Sequence, residues 1–220
     1  MPIWLPGFPT LAAKRAKVTH KLDFPATGRN QAAIGTTFGR FFDPEAPLEI
    51  LEIASGSGQH AAFLTQIFPT WRIQPSDLDP LHLQSVEAYQ AEAARPGFLT
   101  PIRLDVRQTP WPVNRRFDVI WAINLIHIAP WECTESLFAQ GKENLVSGGA
   151  ICLYGAFFQD EVETAPSNLA FDQSLRQRDA SWGVRRLEAV DEVAAKSGFR
   201  LVSVEQMPSN NLCVLWRLTP

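Results

Sequence analysis

Long apolar runs are missing from this 220-residue sequence. None reaches the roughly 18 residues that a membrane-spanning helix needs, so no transmembrane segment is expected. Cysteine is scarce: Cys133, Cys152 and Cys213 are odd in number, far apart and without a CxxC pair. Cys152 and Cys213 lie inside apolar runs, as core thiols of a reducing compartment do. His20, His60 and His82 are scattered without metal-ligand spacing, so no metal site is expected. A basic excess is absent too. Lys and Arg number 20 against 23 Asp and Glu, a net charge of −3, which offers no general attraction for nucleic acid or anionic membrane. There is no phosphate-binding G-x-x-x-x-G-K loop, no G-x-S-x-G elbow and no internal repeat.

What remains is ordinary for a globular protein: 45% hydrophobic and 20% charged residues, enough chain for one sizeable core. The opening MPIWLPGFPT carries prolines where a signal peptide has a continuous apolar segment. Lys14, Arg15, Lys17 and Lys21 follow with few acids, a likeness to a transit peptide that the prolines weaken. A cytoplasmic protein with an irregular N-terminal arm over residues 1–28 and one domain over 29–220 is expected.

From there strand and helix alternate. Arg29 to Phe42 predicts an amphipathic helix with Ile34, Phe38, Phe41 and Phe42 on one side, ended by Pro44 and Pro47. Strands are predicted at Leu48–Ile53, Trp71–Ser76, Leu99–Leu104, Phe117–Ile123 and Ala150–Ala156. Helices between them run to about Phe68, from Asp79 to about Ala94, and from Trp131 to Leu145, the last followed by a turn at Ser147-Gly148-Gly149. Helical stretches at Asn168–Arg178 and Glu188–Ser197 precede two strands, Arg200–Gln206 and Leu212–Leu218. The five residues between those strands fit an antiparallel hairpin, since a parallel crossover needs about a dozen. The fold class is therefore α/β, a mostly parallel sheet with an antiparallel last strand and helices on both faces.

The chain is organised around LEIASGSGQHAAFL, where a buried strand turns through Ala54, Ser55, Gly56, Ser57 and Gly58 into a helix. Small residues there let backbone amides approach a ligand. Gly56-Ser57-Gly58-Gln59-His60-Ala61 formally matches the G-x-G-x-x-G/A dinucleotide fingerprint, with Asp77 about 20 residues on. Too little chain follows for a substrate domain, and the terminal hairpin does not suit that plan. Glu52-x-Ala54-x-Gly56-x-Gly58 instead resembles the E/D-x-G-x-G-x-G loop of class I methyltransferases, with alanine for the first glycine. That Rossmann-like fold has seven strands, the last antiparallel beside the sixth.

The resemblance implies S-adenosyl-L-methionine as cofactor, contacted by Glu52, Ala54, Ser55, Gly56, Gly58 and Asn124. Asp77, at the end of the second strand, takes the ribose hydroxyls, while Asp79 before Pro80 caps a helix. Asp105, at the end of the third, meets the adenine amino group. Past the fourth strand lie Asn124 and His127, on the edge where open α/β sheets bind ligands; a histidine there can act as general base. A D/N-P-P-Y/F pattern is missing at this point, which argues against amine methylation of bases and glutamine amides.

LEIASGSGQHA, QPSDLD, NLIHIAPWE, SNLAFDQSLRQRDASWGVR and MPSNNL together resemble domain-of-unknown-function family 938, the methyltransferase-like 26 type. The likeness spans nearly everything from Arg29 onward and brings no established substrate. Arg29, Asn30, Trp131, Asn210 and Asn211 are the acceptor-binding candidates. Arg176, Arg178, Trp182 and Arg185 fall where methyltransferases place substrate lids, a partly cationic wall suited to an anionic or planar acceptor. Methyl transfer to a small molecule is the leading expectation. A cofactor-binding sensor or partner subunit, an NAD-dependent oxidoreductase and an RNA methyltransferase are the alternatives.

Overall fold

Strand runs without polar alternation, such as FDVIWAI, mark positions covered on both faces, and they occupy the middle of the sheet. The structure is a computed structural model describing residues 21–219; most of the expected N-terminal arm, residues 1–20, lies outside the described residues. The elements are α1 (Pro25–Phe41), β1 (Glu49–Ile53), α2 (Gln59–Ile67), β2 (Arg72–Asp77), α3 (Pro80–Ala93), β3 (Ile102–Arg103), β4 (Phe117–Ile123), α4 (Trp131–Asn144), β5 (Leu145–Phe158), α5 (Pro166–Arg178), β6 (Arg185–Arg186), α6 (Leu187–Lys196), β7 (Phe199–Met207) and β8 (Asn211–Leu218).

The strands form one sheet in the order β3-β2-β1-β4-β5-β8-β7, with β6 paired to the end of β5. Strands β1 to β5 run parallel, and β8 is antiparallel to both of its neighbours, β5 and β7. The seven expected strands are present in this arrangement. The eighth, β6, is two residues long, pairing Phe157 with Arg185 and Phe158 with Arg186.

Successive strand side chains point to opposite faces, and each face has its own core. Ile50, Val119 and Trp121 pack with Ile34 and Phe38 of α1 and Leu64 of α2. Leu51 and Ile120 pack on the other side with Leu137 and Phe138 of α4 and Val190 of α6. Phe38 lies 4.8 Å from Trp121 between ring centroids. Each such fully buried large side chain contributes roughly 1.5–3 kcal/mol.

Three boundaries differ from expectation, each for a local reason. Helix α1 starts at Pro25 rather than Arg29, with proline in its first turn, where a missing N–H costs nothing. The turn at Ser147-Gly149 is absorbed into β5 as a bulge: Phe117 pairs with Leu145, and Val119 already pairs with Ala150. Gly148, at φ +73°, takes up the extra residues. Strand β3 shrinks to Ile102–Arg103, because Pro101 has no N–H for a longer ladder.

Candidate functional site

At the carboxyl end of β1 the chain turns through three left-handed residues: Ala54 (φ +56°), Gly56 (φ +57°) and Gly58 (φ +89°). Ala54 stands where the methyltransferase pattern has glycine, so an alanine side chain here bears the strain of that conformation. The Ser55 amide donates to Ser76 O (2.9 Å), and the Ser76 amide donates to Ser55 Oγ (3.1 Å), locking the turn to β2. Gly58 is where α3 crosses α2. A Cβ there would meet Val86 Cα at 2.8 Å.

Three carboxylates ring this turn. Glu52 is 2% exposed, and its Oε2 has no hydrogen-bond partner among the described residues. Burial pushes its carboxyl up to about 7, although Ser55 and Trp121 lie close enough to counter part of that. Asp77 accepts from the Gly56 amide through Oδ2 (2.9 Å) and from the Asp79 amide through Oδ1 (2.9 Å). His82 Nδ1 approaches Asp77 Oδ1 at 3.2 Å. Asp79 caps α3 by accepting from Leu81 N, as its position before proline predicts.

Asp105 is held differently. Arg107 grips both of its oxygens, Nε to Oδ1 at 3.1 Å and Nη2 to Oδ2 at 2.9 Å, and keeps the carboxyl below the usual carboxylate range. An adenine amino group reaching Asp105 would share it with that guanidinium.

A cavity of about 490 Å³ gathers Glu52, Ala54 to Ser57, Asp77, Asp105 and Asn124. The structure thus brings together the expected cofactor residues, except that Gly58 stands behind the turn as a packing residue. Asn124 is itself left-handed (φ +61°) at the end of β4, its amide donating to Tyr154 O at 2.8 Å. A second cavity of about 330 Å³ adjoins the first; Arg29, Asn30 and Asn211 line it, and Asn30 and Asn124 line both.

Other expected residues lie elsewhere. His127 lines neither cavity. It is fully buried with neither ring nitrogen hydrogen-bonded among the described residues, its ring edge-on to Phe157 at 5.5 Å. Burial, with Arg185 nearby, lowers its pKa to about 3, so it is neutral at ordinary pH and sealed from any acceptor. Gly155 makes room for it, since a Cβ there would overlap Nε2. Trp131 packs against the α4 side of the core beneath the Arg185 guanidinium rather than in a cavity. Asn210 braces the β7–β8 turn, its Nδ2 donating to Ser167 Oγ and its carbonyl accepting from Asn168 Nδ2. Of the expected lid residues, Trp182 reaches the larger cavity. Arg185 instead ties backbone carbonyls of Ile126, Ala129 and Ser181, and Arg176 pairs with Asp172.

Several lining residues were not anticipated. Phe24, Ala26 and Thr27 close one side of the larger cavity. Phe24 is fixed by its amide on Gln59 Oε1 (2.8 Å), and Leu22 by its amide on Ser85 Oγ (2.8 Å). His60, whose Nε2 meets Asn30 Oδ1 at 2.9 Å, also lines it, with burial lowering its pKa to about 4. Among the described residues, no group of three or more His, Cys, Asp or Glu side chains is placed to hold a metal ion, and no helix is long and apolar enough to cross a membrane.

The strand order, the antiparallel β8 between β5 and β7, and a cavity at the carboxyl ends of β1, β2 and β4 define the class I methyltransferase fold. The chain belongs to the family described as Protein of unknown function (DUF938), which it matches over residues 21–218. Solved structures with the same fold include the S-adenosylmethionine-dependent methyltransferase SibL in its apo form (TM-score 0.71, 17% identity, 89% of this chain and 56% of that one). An O-methyltransferase family 2 protein from Planctomyces limnophilus, in complex with apigenin, matches with TM-score 0.72 and 18% identity over 87% of this chain and 59% of that one. Human N-acetylserotonin methyltransferase in complex with SAM matches with TM-score 0.70 and 15% identity over 89% and 53%. The chain spans little more than half the length of these proteins.

Proposed function

We propose that the chain binds S-adenosylmethionine in the larger cavity and transfers its methyl group to a small-molecule acceptor that approaches past Asn124. The observation that carries this reading is the unpartnered Oε2 of buried Glu52 beside the left-handed Ala54–Gly58 turn. An uncompensated carboxylate in a closed site is costly, and a cation beside it removes that cost. The donor set fits the cofactor: Glu52 for the ammonium end, the turn for close backbone approach, Asp77 for the ribose hydroxyls, and apolar Leu78, Leu104 and Val106 as walls for the adenine.

When bound, S-adenosylmethionine would supply an electrophilic methyl carbon on its sulfonium, open to attack by an acceptor lone pair, with the neutral thioether as the leaving group. The protein's own part is placement and exclusion of water, worth roughly 7–11 kcal/mol in favourable cases. Phe24 and Thr27 close one side of the site, and Asn124 stands at the junction of the two cavities. With His127 sealed away, no histidine is assigned to take a proton from the acceptor.

Calorimetric titration with S-adenosylmethionine tests the reading, with one-site binding expected and methyl release following on a fractionated metabolite extract. No binding overturns it. Binding without turnover on any fraction favours a second reading, a cofactor-binding sensor, which the burial of His127 supports. Binding of NAD in its place would favour a dehydrogenase.

A further inference from the structure

The two adjoining cavities differ in charge. Glu52, Asp77 and Asp105 line the larger one together with Arg107, which pairs with Asp105, whereas among the described residues no Asp or Glu lines the smaller. Its one full charge is Arg29, exposed on α1 and without an ion pair or hydrogen bond among the described residues. Ala26, Arg29 and Asn30 share a face of α1, three and four residues apart, and all three line this cavity.

The remaining lining residues are uncharged. Ala26 lies in the first turn of α1, and Ser167 and Asn168 in the first turn of α5; neither turn holds an acid or a side-chain cap. The positive ends of both helix dipoles therefore meet at one space. The Tyr154 hydroxyl accepts from Asn211 Nδ2 at 3.1 Å, which leaves its own proton to donate. An ammonium-bearing acceptor would find no counter-charge here. Phe171, 40% exposed, supplies an apolar face. At about 330 Å³ the space holds on the order of ten water-sized groups.

We propose that the smaller cavity is the acceptor site and that it takes a small planar carboxylic acid, its carboxylate on Arg29 and its flat body against Phe171. The group to be methylated then faces Asn124, where the cavities join. This assignment of roles rests on the larger cavity being the S-adenosylmethionine site; the anion preference stands on the smaller cavity alone.

The test uses benzoate and its neutral counterpart benzamide, titrated by ligand-observed NMR into the full chain without cofactor. Benzoate is expected to bind about tenfold more tightly than benzamide, and Arg29→Gln to erase the difference. Arg29→Gln should fold normally, because the side chain is exposed and makes no ion pair or hydrogen bond among the described residues, and an unchanged melting temperature checks this. Phe171→Ala is expected to weaken both probes while the preference for benzoate survives. Equal binding of the two probes overturns the proposal, as does a benzoate advantage that persists in Arg29→Gln, or no binding of either at millimolar concentration. S-adenosylmethionine is titrated separately. If the wild type fails to bind it, the reading of the larger cavity falls, while the benzoate result still reports on the smaller one.

Discussion

The Gly56 amide donates to Asp77 Oδ2 at 2.9 Å, so one carboxylate at the end of β2 holds the glycine turn at the end of β1 in place. Its other oxygen accepts from the Asp79 amide. The residue expected to meet the cofactor ribose is therefore also part of the turn's scaffold. In Asp77→Asn one of these two amides faces an NH2 group instead of an oxygen. Stability is expected to fall by about 1–3 kcal/mol, together with S-adenosylmethionine affinity. Chemical denaturation and calorimetry on the same variant check both effects, and loss of affinity without loss of stability would separate the two roles.

Ala54 and Gly58 predict opposite outcomes for neighbouring left-handed positions. Ala54→Gly relieves a conformation that costs alanine about 1–2 kcal/mol, less the extra chain entropy of glycine, so stability should hold or rise by up to ~1 kcal/mol. Gly58→Ala adds a Cβ against the Val86 backbone as well as strain, and should cost about 2 kcal/mol or more. Paired melting curves decide both.

Glu52, raised to about 7, makes the site pH-sensitive. The folded protein holds that proton more tightly than the unfolded chain, so its contribution to stability is greatest at low pH and is lost as pH rises from about 4.5 through 7. Glu52→Gln should therefore gain stability relative to wild type at pH 8, on the order of 2–3 kcal/mol, and little at pH 4. Cofactor affinity should run the other way, rising about tenfold from pH 6 to pH 8 as the carboxylate ionises, and flattening in Glu52→Gln. A pH series of calorimetric titrations reads this out.

His127 and His60 act on the acid side. Their pKa values, about 3 and about 4, lie below the unfolded 6.5, so the unfolded chain binds more protons once pH falls under 6.5. Each removes up to about 1.4 kcal/mol of stability per pH unit across that window. His127→Leu should be less acid-sensitive than wild type, and at pH 7 it removes two buried ring nitrogens that have no hydrogen-bond partner among the described residues. Denaturation at pH 5 and pH 7 tests this; equal acid sensitivity would refute it.

The strand positions and the turn of small residues after β1 were legible because each depends on residues close in sequence. A strand, its terminal acid and the small residues after it lie within one window, as with Glu52 to Gly58. His127 was misplaced for the opposite reason. Its position just past β4 puts it at the ligand edge in sequence, but the turn over Leu125–His127 folds it inward under Gly155, on a different strand. Phe24 left no periodic signal, since it is held by Gln59 and packs on Gly56, far along the chain. Arg107 was two residues from Asp105 and could have been read as its partner from the spacing alone. Trp131 depended on which side of α4 meets the sheet, which the sequence around it did not decide.

The position of β8 between β5 and β7 has a consequence for synthesis on the ribosome. Strands β1 to β5 can pair as they emerge, but β7 has no neighbour until Asn211 to Leu218 has left the exit tunnel. Strand β8 must slot into an open gap, forming two ladders at once. A nascent chain halted before Asn211 would present two unpaired strand edges, one on β5 and one on β7, to chaperones or to other chains.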